Sequence, residues 1–132
     1  MSALAPEGAP RAGKKNPRSG RLLRHADFER VYKQGRRHFS ANITVFYLGR
    51  EEGEGMRVGF TVGRALGGAV DRNRIKRRLR EAVRMMRPVP GPAVDVVINP
   101  KKSVRTVEFS ELLGEVSRAF EVIAQKLLKA GG

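Results

Sequence analysis

The sequence contains no cysteine and no tryptophan among its 132 residues. Without cysteine there can be no disulfide framework, no thiolate metal site and no thiol nucleophile, and the composition fits a reducing compartment. Long hydrophobic runs are also missing, since no apolar stretch approaches the roughly 20 residues that a membrane-spanning helix needs. The first residues are rich in Pro, Gly and Arg rather than apolar, so they do not resemble a secretory signal. We therefore expect a cytoplasmic protein that has no membrane partner.

Acidic residues are scarce: 13 Asp and Glu stand against 27 Lys and Arg, and the formal net charge is +14. The excess is concentrated in two segments, since residues 1–24 carry a net charge of +5 and residues 64–87 carry +7. Clustered positive charge is the electrostatic footprint of a nucleic-acid binder, although an anionic membrane surface would attract it as well. Because charge of one sign repels itself, this density predicts an anionic partner.

Residues 1–20 and residues 21–130 differ in composition, and we expect a disordered basic tail followed by one folded domain. The tail has almost no large apolar side chains, so it cannot bury enough surface to offset the entropy of the chain. In the domain, helical periodicity and β-branched segments give the predicted order α-β-β-α-β-α. This order predicts a single α+β domain, an α/β sandwich with three strands packed against helices.

The first half of the domain is predicted to form a short helix and a β-hairpin. The helix spans His25 to Gly35, where Asp27 can cap the start and Gly35 suits a left-handed conformation at the end. The two strands, Asn42 to Gly49 and Met56 to Gly63, flank an acidic turn that contains glycine.

The second half is predicted to contain a long basic helix, a third strand and a last helix. The proline-rich run after Arg87 should end the basic helix. The third strand spans Val94 to Asn99, and the last helix should begin at a cap on Thr106 and extend to about Leu128.

The basic helix is the most informative segment. Residues Val70 to Arg87 contain eight Lys or Arg and only two acids. Ile75, Leu79 and Val83 recur at helical spacing and should dock on the sheet, while the basic residues occupy the other faces. Because two acids cannot neutralise eight cations through salt bridges, and because guanidinium groups suit phosphate, we predict that this helix binds RNA. The candidate contacts are Arg72, Asn73, Arg74, Lys76, Arg77, Arg78 and Arg80.

Two glycines, Gly67 and Gly68, precede the basic helix. They permit close approach of the backbone to a phosphate near a helix N-terminus. A plain turn explains the pair as well, and the chain contains no G-x-x-x-x-G-K-[ST] phosphate loop.

The segment RVGFTVGRALGGAVDRNRIKRRLREAVR, Arg57 to Arg84, resembles the protein subunit of bacterial ribonuclease P. That family carries an R-N-R-x-K-R signature after a strand and a glycine-containing loop. The upstream DFERVYKQG is similar to the first helix of the family and DVVINP to its later strand, so the resemblance covers about Arg21 to Leu128. The residues that match the signature are Arg72, Asn73, Arg74, Lys76 and Arg77.

The resemblance implies a function and a set of partners. The catalyst of that family is an RNA, so the protein would be an accessory subunit without catalytic residues. The holoenzyme is an endoribonuclease that removes the 5′ leader of precursor tRNA by phosphodiester hydrolysis, with Mg²⁺ held mainly by the RNA. The implied partners are therefore the ribonuclease P RNA and precursor tRNA, with no small-molecule substrate. The family fold also implies an unusual left-handed crossover between parallel strands.

The resemblance further implies a cleft, between the sheet and the first helix, that holds the single-stranded 5′ leader. The matching positions are Phe28 and Tyr32 on the helix and Phe46 on the first strand. Exposed aromatic rings let bases stack without strong sequence preference. Each ring could instead belong to the core. Tyr32 is the better cleft candidate because its hydroxyl needs water or a partner, whereas the run VFY leaves the facing of Phe46 open by one residue.

Two features depart from the family pattern. Gly63, Arg64 and Ala65 stand where the family commonly has Ser-Lys-Lys, so Arg64 can contact phosphate but one cation is missing. The N-terminal tail is an addition to the common pattern. Its basic residues could replace the missing charge on RNA: Arg11, Lys14, Lys15 and Arg18.

Two other functions are alternatives. A structural RNA binder such as a ribosomal protein would share the basic charge, but it needs no leader groove. A self-sufficient nuclease would need grouped carboxylates or histidines for metal or general-base chemistry. Here His25 and His38 lie in or next to basic sequence and the acids are scattered. Asp95 is alone on its predicted strand, where a surface or pairing role is expected.

Overall fold

The computed structural model describes residues 25–51, 53, 55–88 and 91–131. The predicted basic tail, residues 1–20, lies outside this part of the chain. Within it the elements are α1 (His25–Gln34), β1 (Arg36–Phe39), β2 (Ile43–Gly49), β3 (Met56–Phe60), α2 (Ala69–Met86), β4 (Val94–Pro100) and α3 (Phe109–Gly131). Short 3-10 helices, Arg64–Leu66 and Lys102–Arg105, precede α2 and α3. Among these helices, none has both the length and the hydrophobicity to cross a membrane.

The strands form one sheet in the order β1-β2-β4-β3. β2 pairs antiparallel with both β1 and β4, whereas β3 pairs parallel with β4. The mixed α+β fold is therefore confirmed, but the predicted hairpin between β2 and β3 is wrong because β4 lies between them. β4 is buried on both of its faces, which is typical of a central strand, and this burial outweighs the short connection between β2 and β3. The α2 crossover joins the parallel pair β3 and β4; its left-handedness stays a prediction.

Strand β1 was not predicted from the sequence. Its four residues, RRHF, are mostly exposed and show no apolar alternation. It forms as the outer antiparallel partner of β2, after a tight turn in which the Ser40 N–H donates to the Ile43 carbonyl over 2.9 Å. An edge strand bonds on one side only, so it can be polar and still be specified by its neighbour.

The two faces of the sheet are covered differently. One face packs against α2 and α3 and forms the larger core, which includes Ile75 and Leu79 of α2, as predicted. The opposite face is covered by α1 and holds a smaller cluster around Val31 and Val97. Because α1 is a single short helix, the strands nearest the β1 edge keep exposed side chains on this face.

Two predicted helix ends are wrong in detail. Gly35 follows α1 without a left-handed backbone; a Cβ there would lie 2.5 Å from the Val31 carbonyl oxygen and 2.6 Å from that of Tyr47. Glycine is needed because the chain leaves the helix directly against the backbone of β2. Thr106 does not cap α3 but ends the preceding 3-10 helix, and α3 begins at Phe109.

Candidate nucleic-acid interface

Helix α2 separates apolar from basic side chains along its length. Its buried residues are Ile75, Leu79, Ala82 and Val83, which face the larger core. On the opposite side lies a shallow depression, here called the basic groove, lined by Val70, Asn73, Lys76, Arg77 and Arg80. The structure therefore brings four of the predicted RNA contacts together on one surface.

The basic groove has little internal neutralisation. The two acids of α2 are already engaged, Asp71 with Arg105 at 3.1 Å and Glu81 with Arg84. The hydrogen bond from Arg84 holds the pKa of the Glu81 carboxyl below its usual range. Within the described part of the chain, neither Arg77 nor Arg80 forms an ion pair. Their guanidinium groups are exposed and suited to bidentate contact with phosphate.

Arg78 points away from the basic groove, toward the segment before α3. Its guanidinium donates hydrogen bonds to the carbonyl oxygens of Val104 at 3.0 Å, Arg105 at 2.9 Å and Val107. The central carbon of this guanidinium group, Cζ, also lies 5.8 Å from the centroid of the Phe109 ring. These contacts hold the 3-10 turn and the start of α3 against α2, so Arg78 has a structural task that the sequence did not reveal.

The remaining predicted contacts lie at the start of α2 and beside Arg78. Arg74 is exposed and donates one hydrogen bond, over 3.0 Å, to the Arg105 carbonyl. Arg64 is exposed in the preceding 3-10 helix, and Arg72 is half-buried.

Gly67 has φ 127°, and a Cβ there would lie 2.8 Å from an Asp71 carboxylate oxygen. The turn before α2 therefore requires glycine at position 67, because of its positive φ and because a side chain would collide with Asp71.

The three predicted aromatic positions share the face covered by α1, and we call this group the aromatic cleft: Phe28, Tyr32 and Phe46. The centroids of the Tyr32 and Phe46 rings are 4.8 Å apart, and the ring planes are nearly perpendicular. The open question about Phe46 is resolved, because Val45 and Tyr47 face the larger core and Phe46 faces α1. All three rings are thus on the side of the sheet opposite α2.

The aromatic cleft is deeper at Phe28 than at Tyr32. Phe28 is half-buried over Gly59, where an added Cβ would lie 2.6 Å from the tip of the ring. Tyr32 is 38% exposed. Its hydroxyl shares a 2.7 Å hydrogen bond with the Thr61 hydroxyl and donates to the Asn99 side-chain oxygen at 2.9 Å. Phe28 is therefore support for the cleft, and Tyr32 has an accessible ring whose orientation is fixed.

A group of charges centred on a buried aspartate fastens α1 to the sheet. We call it the arginine–aspartate network; its members are Asp27, Arg30, Arg50, Arg57 and Asp95. The Asp95 carboxylate is 0% exposed and accepts hydrogen bonds from Arg30 at 2.7 Å, Arg50 at 2.8 Å and Arg57 at 2.8 Å. Asp27 pairs with Arg30 at 3.1 Å. The helix is therefore tied by charge as well as by Phe28.

The network accounts for the charge state of Asp95. Burial by itself raises the pKa of this carboxyl, but hydrogen bonds from Arg57 and Arg50 outweigh burial and hold its pKa below the ordinary value. The same bond to Asp95 raises the pKa of Arg57. Of the two roles expected for Asp95, on the surface or in a pair, the structure shows the pair, and the residue is buried. A group of three or more His, Cys, Asp or Glu residues suited to a metal ion does not occur in the part of the chain that the structure describes.

The chain is similar to known proteins of one family. The family model described as Ribonuclease P matches residues 17–124. The ribonuclease P protein component of Gluconacetobacter diazotrophicus is 40% identical over 102 residues, 76% of this chain and 88% of that protein. The Symbiobacterium thermophilum component is 41% identical over 101 residues, again 76% and 88%. The solved RNase P protein from Thermotoga maritima superposes with a TM-score of 0.62 at 28% identity, covering 74% of this chain and 96% of that one.

Proposed function

This chain belongs to the ribonuclease P protein family, and from that premise we propose how its two candidate surfaces are used. The chain is the accessory, RNA-binding subunit of ribonuclease P, the endoribonuclease that removes the 5′ leader from precursor tRNA. Its partner is the ribonuclease P RNA. The observation that carries this conclusion is the family match over residues 17–124, which includes both the basic groove and the aromatic cleft.

We propose that the basic groove binds the catalytic RNA. Asn73 and Lys76 line the groove with Arg77 and Arg80, whose exposed guanidinium groups have no acidic partner in the described residues, so phosphates would supply the missing counter-charge. Asn73 can both donate and accept, which suits a base edge or a 2′-hydroxyl. The proposed contacts around the groove are Arg64, Arg72, Arg74, Arg77 and Arg80. Arg78 supports this surface by fixing the turn behind it.

We propose that the aromatic cleft binds the single-stranded 5′ leader of precursor tRNA. Tyr32 presents an accessible ring held by two hydrogen bonds, and Phe46 lies against its edge. A ring that is already oriented loses little freedom when a base stacks on it. Because every base has a π-face, the contact tolerates any base. The cleft and the basic groove lie on opposite faces of the sheet, which lets one small domain touch two RNA segments.

The protein's own side chains are not arranged for hydrolysis in this proposal. The buried carboxylate of Asp95 has its charge matched by three guanidinium groups and cannot serve as a free base. We propose that the reaction belongs to the RNA subunit and that Mg²⁺ is held mainly by that RNA. A cytoplasmic location, and the division into a tail of residues 1–20 and an RNA-binding domain of residues 21–130, stay predictions.

Cleavage of precursor tRNA in low Mg²⁺ tests the function. The reaction would contain bacterial ribonuclease P RNA with this protein, the RNA alone, or the protein alone. We expect the protein to stimulate cleavage only when the RNA is present. Tight binding to another RNA without stimulation would indicate a structural RNA binder, and cleavage by the protein alone would indicate a self-sufficient nuclease.

A further inference from the structure

Phe39 is an exposed aromatic residue at the end of the edge strand β1. It is 69% exposed, and its partner in the sheet is Thr44 of β2. A single exposed apolar side chain is ordinary, so exposure alone carries no inference. What distinguishes Phe39 is the guanidinium of Arg37, whose carbon lies 5.8 Å from the Phe39 centroid and 5.9 Å from the Phe46 centroid. One cation therefore lies between the exposed ring and a ring of the aromatic cleft.

These side chains continue the aromatic cleft toward the edge of the sheet. Arg37 is the direct cross-strand partner of Phe46, whose ring in turn contacts Tyr32 at 4.8 Å. Residues two apart on a strand share one face, so Phe39 is on the same side as Arg37, about 7 Å farther along β1. The planar groups thus follow one another across the face in the order Tyr32, Phe46, Arg37, Phe39.

We propose that Phe39 and Arg37 form an outer stacking subsite that extends the aromatic cleft by at least one base of the 5′ leader. The proposal rests on the leader-binding function proposed above. The Phe39 ring supplies an accessible stacking surface, and Arg37 supplies both a planar cation and a donor for the phosphate between two bases. The subsite therefore selects for leader length rather than for base identity.

The location of Phe39 favours the leader over the catalytic RNA as its ligand. The basic groove is on α2, which covers the opposite face of the sheet. Phe39 instead adjoins Phe46, on the face that α1 covers. A strand of RNA that leaves Tyr32 in the direction of β1 would reach the strand that carries both Arg37 and Phe39.

The test is binding of precursor tRNAs by the reconstituted holoenzyme, with unstructured leaders lengthened one nucleotide at a time and mature tRNA as the leaderless reference. Phe39→Ala should reduce affinity roughly 5-fold or more for leaders above a threshold length, and not for shorter ones. Phe39→Leu keeps an apolar side chain without an aromatic face and should show the same loss, whereas Phe39→Trp should retain affinity. The matched control is Leu128→Ala, which removes another exposed apolar side chain (78% exposed) from α3.

The Tyr32→Ala variant separates failure of the subsite from failure of the cleft. A leader-dependent loss for Tyr32→Ala with no effect of Phe39→Ala at any length would overturn the subsite and leave the cleft standing. Equal losses for Phe39→Ala on mature tRNA and on every precursor would show that the ring contacts something other than the leader, which also overturns the proposal. If neither variant responds to the leader, the leader-binding function fails and the subsite fails with it.

Discussion

Asp95→Asn should destabilise the domain by about 3 to 5 kcal/mol, the usual cost of removing one partner from a buried ion pair. The carboxylate is fully buried and accepts four hydrogen bonds from three guanidinium groups. An asparagine of the same shape can accept at only one oxygen, and its NH₂ group would point at guanidinium donors. The arginine–aspartate network would also change from a net charge of +1 to +2 in a desolvated position.

The exposure of the arginines places the expected cost near the lower end of that range. Arg30 and Arg57 are partly exposed, so water can solvate them once the carboxylate is gone. Arg50 is more deeply buried, but it also donates to the carbonyls of Val94 and Gly55 at 2.9 and 2.8 Å. About 3 kcal/mol is therefore the expected loss at neutral pH.

The loss should depend on pH in a defined direction. The folded-state pKa of Asp95 lies below its unfolded value of 3.8. A carboxyl of this kind contributes stability that is complete above the unfolded pKa and is lost as pH falls through the folded pKa. The difference in unfolding free energy between the wild type and Asp95→Asn should therefore be constant from neutral pH to about pH 4 and should narrow below it.

Urea titrations across this pH range provide the assay, with the slope m checked for constancy so that the midpoint reports stability alone. Asp71→Asn is the matched control, because Asp71 has the same chemistry but pairs with one exposed arginine, Arg105. The control should cost no more than about 1 kcal/mol. A loss for Asp95→Asn no larger than that of the control, or a difference that stays constant down to the most acidic condition, would refute a charge network that holds α1.

Four further predictions address the two surfaces. Gly59→Ala should destabilise the domain by about 1 to 3 kcal/mol in denaturant unfolding, because the new Cβ would lie 2.6 Å from the Phe28 ring. Arg77→Gln should lower the slope of log affinity against log salt for the catalytic RNA by about one unit, whereas Arg78→Gln should lower the unfolding free energy by about 1.5 to 3 kcal/mol. Tyr32→Ala should weaken binding of leader-bearing precursor tRNA but not of mature tRNA.

Each of these has an internal comparison. Gly63→Ala has no atom within 4 Å of its added Cβ and should be nearly neutral; equal losses at Gly59 and Gly63 would contradict the packing explanation. An unchanged salt slope for Arg77→Gln would remove that residue from the RNA contacts. Tyr32→Phe keeps the ring and should retain leader binding, so a loss as large as that of Tyr32→Ala would point to the hydroxyl instead of stacking.

The parts of the fold that sequence could predict are those set by local periodicity. The spacing of Ile75, Leu79 and Val83 is enough to fix which side of α2 meets the core, because a helix determines the relative directions of its own side chains. Strand pairing is different, since β3 selects β4 over the nearer β2 through burial of both faces of the central strand. No local pattern marks that choice, and the same holds for β1.

The aromatic cleft shows the same limit at the level of single residues. The run of Val45, Phe46 and Tyr47 is apolar throughout, so alternation cannot state which member faces which side. The family resemblance selected Phe46, and the packing of Val45 and Tyr47 into the larger core agrees with it. Phe39 escaped notice because its strand was itself unpredicted, and an aromatic residue in a presumed loop gives no indication of its neighbours.

The arginines show why composition finds the partner but not the contacts. A net charge of +14 predicts an anionic ligand, yet Arg50 and Arg57 neutralise a buried aspartate and Arg78 holds three backbone carbonyls. All three are the same residue type as Arg77 and Arg80, and Arg78 also shares their local charge. What separates them is hydrogen bonding to distant parts of the chain. Arg50 and Arg57 bond to β4 and Arg78 bonds to the turn before α3, and each of these pairs is more than 25 positions apart in sequence. Charge density therefore overestimates the number of RNA contacts, and the guanidinium groups without protein partners are the ones for which mutation should change the salt dependence of RNA binding rather than the stability of the fold.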